Sequence, residues 1–150
     1  MHQEFFKVLK KDHQEVKSIL EQLKETSKTA TKAREKLFSQ LKEEIKPHMT
    51  GEEKAFYPAL KKYEEAKDNV LESIEEHHVT ESVLKELDKM SKSEENWGAK
   101  LSVFKELVEH HIEEEEEKIF SDAEENLDAE KMKQIMEDFN KEKEKAKKAL

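Results

Sequence analysis

The sequence predicts an all-α protein, an up-down-up-down antiparallel four-helix bundle with a short additional C-terminal helix. The first indication is composition, because 150 residues with only 2 Gly, 2 Pro and 43% charged residues favour helices throughout. The second is periodicity, because apolar residues recur at helical spacing and form one stripe along each predicted segment. The same periodicity rejects a disordered chain, which the high charge alone would allow.

Four long segments form the predicted bundle, and short polar stretches separate them. The predicted helices cover about residues 2–25, 30–63, 67–89 and 94–121. Short connections make sequential helices antiparallel neighbours, which predicts the bundle topology. Kinks are expected near Pro47 and Pro58, inside the second helix. Gly51 in the same helix is expected to admit a close helix or to leave space beside a site, unless it is simply tolerated at the surface.

A fifth helix follows the bundle, with Asp128 as a suitable N-cap. Its tail, residues 141–148, consists mostly of Lys and Glu, so we expect it to fray. The expected division of the chain is a bundle at residues 1–124 and a C-terminal helix with a charged tail at residues 125–150.

Two copies of one unit make up the predicted bundle. In each copy a lone histidine is followed, 35 or 34 residues later, by a histidine and a glutamate spaced four residues apart. The first copy contains His13, His48 and Glu52, and the second contains His77, His111 and Glu115. A spacing of four places the members of a pair on one helix face, one turn apart. The bundle is therefore expected to direct these side chains from four helices toward one point.

These histidines and glutamates interrupt stripes that are otherwise apolar. A lone histidine on such a stripe is more often a hydrogen-bonded core residue, and 37 acidic residues make chance His-x-x-x-Glu pairs common. An ionised carboxylate in the core, however, costs several kcal/mol unless it is paired or bound to a metal. Four aligned histidines with two equivalent glutamates therefore predict a metal site.

The second pair has a competing alternative, because His110 and Glu114 have the same spacing as His111 and Glu115. The apolar stripe of the fourth helix selects His111 and Glu115, and so does alignment with the first copy. The remaining histidines, interpreted as surface residues or as residues that support the ligands, are His2, His78 and His110.

These residues resemble the hemerythrin-like HHE cation-binding family over roughly residues 5–121. The match includes the family's Pro-His-x-x-x-Glu-Glu run at residues 47–53 and its Glu-His dipeptide at residues 76–77. For residues 1–124 the resemblance implies a hemerythrin-like four-helix bundle that encloses a non-haem di-iron centre.

The resemblance also implies the ligands of that centre. Two iron ions would share an oxo or hydroxo bridge and two bridging carboxylates, Glu52 and Glu115. Terminal imidazoles would come from His13 and His48 on one iron and from His77 and His111 on the other.

One position departs from the oxygen-carrying members of the family, which have a second histidine four residues after the one at His77. Here that residue is Glu81, and its counterpart in the first copy is Lys17. If Glu81 is a ligand, the second iron has six ligands, and the first has five and one open position. Such a position suits end-on binding of dioxygen, peroxide or nitric oxide. An additional carboxylate favours ferric iron, so we expect ready autoxidation rather than oxygen storage.

The predicted function is a non-haem di-iron protein that binds dioxygen or a related small ligand, in oxygen or redox sensing or in iron and oxygen handling. The alternative is a di-iron enzyme with peroxidase-, catalase- or nitric-oxide-reducing activity, which needs the same open site. A ferritin-like oxidase is disfavoured because that class uses Glu-x-x-His. A structural zinc site is disfavoured because it needs only four ligands. Imidazole and carboxylate ligands suit iron, manganese and zinc, so the identity of the metal stays open.

Composition and charge exclude other classes. The formal net charge of −9 gives no indication of nucleic-acid binding, and the absence of cysteine excludes disulfides and iron–sulfur clusters. No apolar run is long enough to span a membrane and the N-terminus lacks a signal-peptide pattern, so we expect a cytoplasmic protein. The apolar face of the fifth helix is expected to cover one end of the bundle or to dock a protein partner or a second copy.

Overall fold

The computed structural model describes residues 3–150, so the interpretation of His2 lies outside the described residues. Within that range the chain forms helices and turns without a strand, and none of these helices is long and apolar enough to cross a membrane. The helices are α1 (Gln3–Lys24), α2 (Thr31–Gly51), α3 (Tyr57–Lys61), α4 (Glu64–Lys89), α5 (Glu95–Glu114), α6 (Phe120–Asn126) and α7 (Ala129–Lys148).

Two short π-helical turns divide the second and fourth helices of the bundle. Residues Glu52–Phe56 join α2 to α3, and residues Glu115–Ile119 join α5 to α6. The bundle therefore consists of α1, α2–α3, α4 and α5–α6, and α7 packs chiefly along α2. The predicted fold class, an all-α bundle with an additional C-terminal helix, is confirmed. Pro47 does not interrupt α2, which stays α-helical on both sides of it.

The two π turns begin at the two glutamates that the sequence repeat contains. The Tyr57 N–H donates to the Glu52 carbonyl and the Phe120 N–H to the Glu115 carbonyl, five residues earlier in each case. Because a π turn closes over five residues rather than four, it brings the aromatic residue onto the face of the glutamate. Proline does not explain both turns, since only the first is followed by one, Pro58.

Apolar side chains form two clusters, and a layer of buried polar side chains lies between them. On α1, Leu9 belongs to one cluster and Val16 to the other, with Asp12 and His13 buried between them. The same order recurs on the other bundle helices. The polar layer is therefore shielded from water by packed hydrophobic residues on both sides.

Arg34 connects the α1–α2 and α4–α5 loops. Its guanidinium donates to Thr26 Oγ1 at 3.0 Å and to the Lys92 carbonyl at 2.6 Å. It also lies 4.9 Å from the centre of the buried Trp97 ring. Because one side chain binds both loops, it fixes the two copies of the repeat relative to each other.

The C-terminal helix α7 includes the charged tail of the chain. Asp128 caps it as expected, accepting from the Lys131 N–H at 2.8 Å. The helix continues to Lys148, so the tail that is expected to fray is helical in this structure. Its apolar residues are buried in one of the two clusters, so its apolar face is occupied within the chain.

Gly51 allows α7 to approach α2 closely. A Cβ atom at this position would lie 2.7 Å from Cε1 of Phe139 and 3.3 Å from the Phe139 carbonyl oxygen. The first distance is well below van der Waals contact, so any larger residue would displace the ring or the helix. The prediction that Gly51 admits a close helix is confirmed.

Candidate metal centre

The polar layer brings together six of the seven predicted site residues. Each of the six has at most 9% of its surface exposed, and the two glutamates have 0%. They come from all four bundle helices and are His13, His48, Glu52, His77, His111 and Glu115. Buried carboxylates and imidazoles at this density require partners, because isolated charges are costly in a protein interior.

The six residues form two groups that share both glutamates. Subsite 1 consists of His13, His48, Glu52 and Glu115, and subsite 2 consists of His77, His111, Glu52 and Glu115. In each group the candidate ligand atoms lie within 4.8 Å of one another. Such spacing fits coordination of one metal ion per group.

Each glutamate directs one oxygen toward each subsite. The nearest pairs are Glu115 Oε1 to His13 Nε2 at 3.2 Å, Glu52 Oε2 to His48 Nε2 at 3.4 Å, Glu52 Oε1 to His77 Nε2 at 3.2 Å, and Glu115 Oε2 to His111 Nε2 at 3.6 Å. A carboxylate in this orientation can bridge two cations. The arrangement is therefore suited to a dinuclear centre with two bridging glutamates.

Each of the four cluster histidines is also hydrogen-bonded to a further carboxylate through Nδ1, the ring nitrogen that faces away from the shared glutamates. The distances from Nδ1 are 2.7 Å for His13 to Glu116, 2.9 Å for His48 to Asp12, 2.8 Å for His77 to Glu53, and 2.6 Å for His111 to Glu76. An imidazole whose Nδ1–H donates to a carboxylate is held with Nε2 free for a metal. We call these four residues the outer carboxylates.

The outer carboxylates follow the repeat and were missed by the sequence reasoning. Asp12 and Glu76 each precede the lone histidine of their copy, and Glu53 and Glu116 each follow the shared glutamate. Asp12 and Glu76 bind a histidine of their own copy, whereas Glu53 and Glu116 bind one of the other copy. An acidic residue at both positions in both copies was the signal in the sequence.

Against the effect of burial, neighbouring carboxylates raise the pKa of all four histidines in the metal-free chain. Burial alone would lower the pKa of His48, but the charge of Glu52 and the hydrogen bond to Asp12 outweigh it and raise the pKa to about 10. Burial likewise opposes the effect of the nearby carboxylates of Glu115 and Glu76, which raise the pKa of His111 to about 10. Bound cations would replace these protons at the carboxylates.

Three buried atoms of the cluster have no hydrogen-bond partner. They are Glu52 Oε2, Glu115 Oε1 and His111 Nε2, and all three are candidate ligand atoms at the shared carboxylates. Buried polar atoms without partners are uncommon and costly. Metal ions would satisfy all three, so the residues present fit a dinuclear metal centre.

Tyr57 makes the two subsites unequal. Its buried hydroxyl donates a short hydrogen bond to Glu115 Oε2 and lies 3.3 Å from Glu52 Oε1 and 3.4 Å from His77 Nε2. These are the atoms of subsite 2, and Phe120 stands at the equivalent position of the other copy. Burial and the charges of Glu115 and Glu52 raise the pKa of Tyr57 well above its usual value, so the phenol stays protonated.

Glu81 is the one predicted site residue that the structure does not bring to the cluster. Its side chain is 43% exposed and lies 3.8 Å from Lys85 Nζ on the surface of α4. The residue that faces inward after His77 is Thr80, because buried positions on α4 alternate in steps of four and three. A constant spacing of four residues along α4 predicts the wrong helix face for Glu81. The expected sixth ligand of the second metal therefore lies outside the cluster.

The alternative pair stays on the surface. His110 has 65% of its side chain exposed and lies 3.3 Å from Glu114, whereas His111 and Glu115 are buried. His78 is also exposed, with 60% of its side chain accessible. The apolar stripe of the fourth helix thus selected the pair that faces the polar layer.

A cavity of about 20 Å³ adjoins the four histidines. The lining adds mainly apolar residues, which are Val16, Ile45, Met49, Thr80, Val108 and Ile112. This volume accommodates about one water-sized molecule. The space beside the histidines is therefore small and mainly apolar.

The fold and the site define a helical-bundle protein with a buried His/Glu cluster that could bind metal. The chain belongs to the Hemerythrin HHE cation-binding domain family, whose family model matches residues 4–123. A solved structure of a Hemerythrin HHE cation binding domain-containing protein from Mycobacterium kansasii is similar, with 23% sequence identity and a TM-score of 0.83. The match covers 96% of this chain and 87% of that chain, and at this identity it shows the fold alone. No match is found among curated proteins.

Proposed function

We propose that this protein is a non-haem di-iron protein that binds dioxygen or a related small ligand such as nitric oxide. The observation that carries the proposal is the orientation of the two buried glutamates. Each of them directs one carboxylate oxygen to one histidine pair and the other oxygen to the other pair. Two cations bound there would share both carboxylates. Membership in a family of cation-binding domains also supports cation binding at this cluster.

Iron is the metal that we assign to both subsites. When bound, an iron pair supplies redox-active Lewis-acid positions that can bind and reduce small ligands. A structural zinc site is usually closed by four protein ligands that it does not share. The cluster instead shares its carboxylates between two subsites, which favours a dinuclear centre.

The chain's own residues prepare the site for a small ligand. The outer carboxylates hold each imidazole by Nδ1, which fixes the direction of Nε2. The hydroxyl of Tyr57 lies beside subsite 2, so we expect subsite 1 to have the more open position. The apolar cavity lining keeps bulk water from the four histidines.

Metal analysis combined with optical spectroscopy tests the proposal. Protein purified without added metal, and protein loaded with ferrous iron without oxygen, should each be analysed for bound metals. We expect up to two iron ions per chain after loading, and a change in the visible spectrum when dioxygen or nitric oxide is admitted. One zinc ion per chain and no ligand-dependent spectrum would overturn the proposal.

A second candidate is a di-iron enzyme that reduces peroxide, and Tyr57 is the observation that favours it. A protonated phenol hydrogen-bonded to a bridging glutamate can donate a proton beside the metals. A turnover assay with hydrogen peroxide separates the two candidates. Many turnovers per centre support the enzyme, whereas stoichiometric consumption supports the binding protein.

A further inference from the structure

The C-terminal helix α7 lies beyond the residues that the family model matches, yet its Phe139 contacts His48 and its Lys143 contacts Asp12. We propose that α7 is part of the metal centre, with Lys143 as a positioning residue that holds Asp12 and, through it, His48 in subsite 1. The inference rests on the proposed metal site and adds a component outside the residues that the family model matches.

The contact runs through both oxygens of one carboxylate. Lys143 Nζ lies 2.6 Å from Asp12 Oδ1, and His48 Nδ1 lies 2.9 Å from Asp12 Oδ2. The Asp12 side chain is 7% exposed and that of Lys143 is 17% exposed, so water competes weakly for either group. Asp12 therefore cannot turn away from His48 without also breaking a buried ion pair.

Asp12 differs in this respect from the other outer carboxylates. Among the residues that the structure describes, Glu53, Glu76 and Glu116 form ion pairs with their histidines alone. Asp12 pairs with both a histidine and a lysine. The ammonium group thus breaks the twofold relation of the two copies, and it does so on the side of subsite 1.

Phe139 supports the same side of the site, one helical turn before Lys143. Its ring meets the His48 imidazole edge to face, with 5.7 Å between the ring centres. The absence of a side chain at Gly51 lets this ring and the α7 backbone come close. Phe139 and Lys143 are four residues apart and share one helix face. When α7 is docked, His48 is thus restrained through its ring and through Nδ1.

The expected consequence is that metal retention in subsite 1 depends on the docking of α7. Loss of a carboxylate partner behind a metal-bound imidazole typically lowers metal affinity by about 10-fold to 100-fold. Removing the lysine leaves Asp12 in place but frees it to rotate, so we expect an effect near the lower end of that range. Among the residues that the structure describes, subsite 2 has no contact of this kind, so it should retain its ion.

The test compares Lys143→Met, Lys143→Arg and the control Lys145→Met. Lys145 lies on the same helix with 73% of its side chain exposed, and its ion pair is with Glu142 at 3.9 Å. Iron-loaded proteins are exposed to a chelator, and the loss of each ion is followed with time. We expect Lys143→Met to lose its first ion about 10-fold faster than the wild type. Lys143→Arg and Lys145→Met should stay close to the wild-type rate.

A second measurement uses the metal-free chain, so that it does not depend on iron binding. Nitrogen-15 NMR of the His48 side chain reports whether Nδ1 keeps its hydrogen-bonded proton. We expect that signature in the wild type and in Lys143→Arg, and its loss in Lys143→Met. Hydrogen exchange of α7 in the same samples shows whether the helix stays docked. Asp12→Asn, which keeps the shape of the side chain, replaces Lys143→Met if the latter does not fold.

The outcomes separate the two proposals. Equal ion loss and equal His48 spectra in Lys143→Met and Lys145→Met would overturn the role of Lys143. Suppose that the wild type binds fewer than two ions while the NMR signal of His48 still depends on Lys143. That result would overturn the di-iron proposal alone. Faster ion loss with an unchanged His48 signature would also contradict the mechanism, because the effect would not pass through Asp12.

Discussion

Tyr57 and Phe120 occupy equivalent positions in the two copies of the repeat, and only Tyr57 carries a hydroxyl that contacts both shared glutamates. Each lies five residues after its glutamate, across a π turn. The repeat builds two nearly equal subsites, and this pair makes them unequal. The sequence predicts that the two metal positions differ because of Lys17 and Glu81. In the structure the two subsites differ at Tyr57 and Phe120 and at Lys143.

Tyr57→Phe tests the consequence of that inequality. The phenol donates to a buried carboxylate, and hydrogen bonds to charged groups contribute about 1.5–3 kcal/mol. We expect the free energy of unfolding of the metal-free chain to fall by about that amount. If peroxide is reduced at the centre, turnover should fall by about 100-fold through loss of a proton donor.

The matched variant for Tyr57→Phe is Phe120→Tyr, which adds a hydroxyl on the side of subsite 1. We expect both variants to keep two metal ions per chain. Urea unfolding and peroxide turnover are the measurements. Unchanged stability together with unchanged turnover in Tyr57→Phe would show that the hydroxyl has no role beyond packing.

Metal affinity should rise with pH, because protons and metal ions compete for the same histidines. The pKa values of His48 and His111 are raised to about 10 in the metal-free chain. At neutral pH both imidazoles are therefore protonated, and metal binding must release those protons. Equilibrium dialysis with ferrous iron or manganese at several pH values measures the effect. Affinity that does not change between pH 6 and about 9 would contradict it.

The same pKa shifts predict how pH changes the stability of the metal-free chain. A histidine with a raised pKa in the folded state contributes stability that is fully present below the unfolded value, about 6.5. That contribution is lost as pH rises toward 10, the folded value for His48 and His111. Urea unfolding with a chelator should show falling stability across this interval. His78→Gln, which removes a histidine whose side chain is 60% exposed, serves as the comparison variant.

Replacing neighbouring histidines tests whether His111 and Glu115, rather than His110 and Glu114, bind the metal. His111→Ala removes a buried side chain of subsite 2, whereas His110→Ala removes one that is 65% exposed. We expect His111→Ala to lower metal content from two ions toward one, and His110→Ala to leave it unchanged. Metal analysis after loading decides the matter, and equal losses in both variants would show that the surface pair binds metal instead.

Glu81 should contribute little to metal binding, because it lies on the surface beside Lys85. Glu81→Gln is expected to retain two metal ions and to change the free energy of unfolding by no more than about 0.5 kcal/mol. Glu115→Gln serves as the contrasting variant, since it neutralises a bridging carboxylate. Loss of an ion from Glu81→Gln would instead identify Glu81 as a metal ligand.

The sequence predicts the bundle and six clustered residues because both follow from simple helical periodicity. Helical periodicity does not predict the π turns, because one additional residue in a turn does not change the composition of the sequence. Glu81 was misplaced for a related reason, because a steady step of four drifts away from the face that contains His77 and Thr80. Lys143 could not be found at all, because its partner Asp12 is 131 residues away and the docking of α7 decides the contact.

The cavity beside the histidines is tested by filling it. Val108→Ile adds one methylene to a residue that lines this space of about 20 Å³. We expect metal content to stay at two ions, since Val108 is not a ligand, while affinity for dioxygen or nitric oxide falls about 10-fold through overpacking of about 1–2 kcal/mol. Val103→Ile on the same helix is the control, because Val103 is 54% exposed. Ligand titration followed by visible absorption measures the affinity, and equal affinities in the two variants would place the ligand elsewhere.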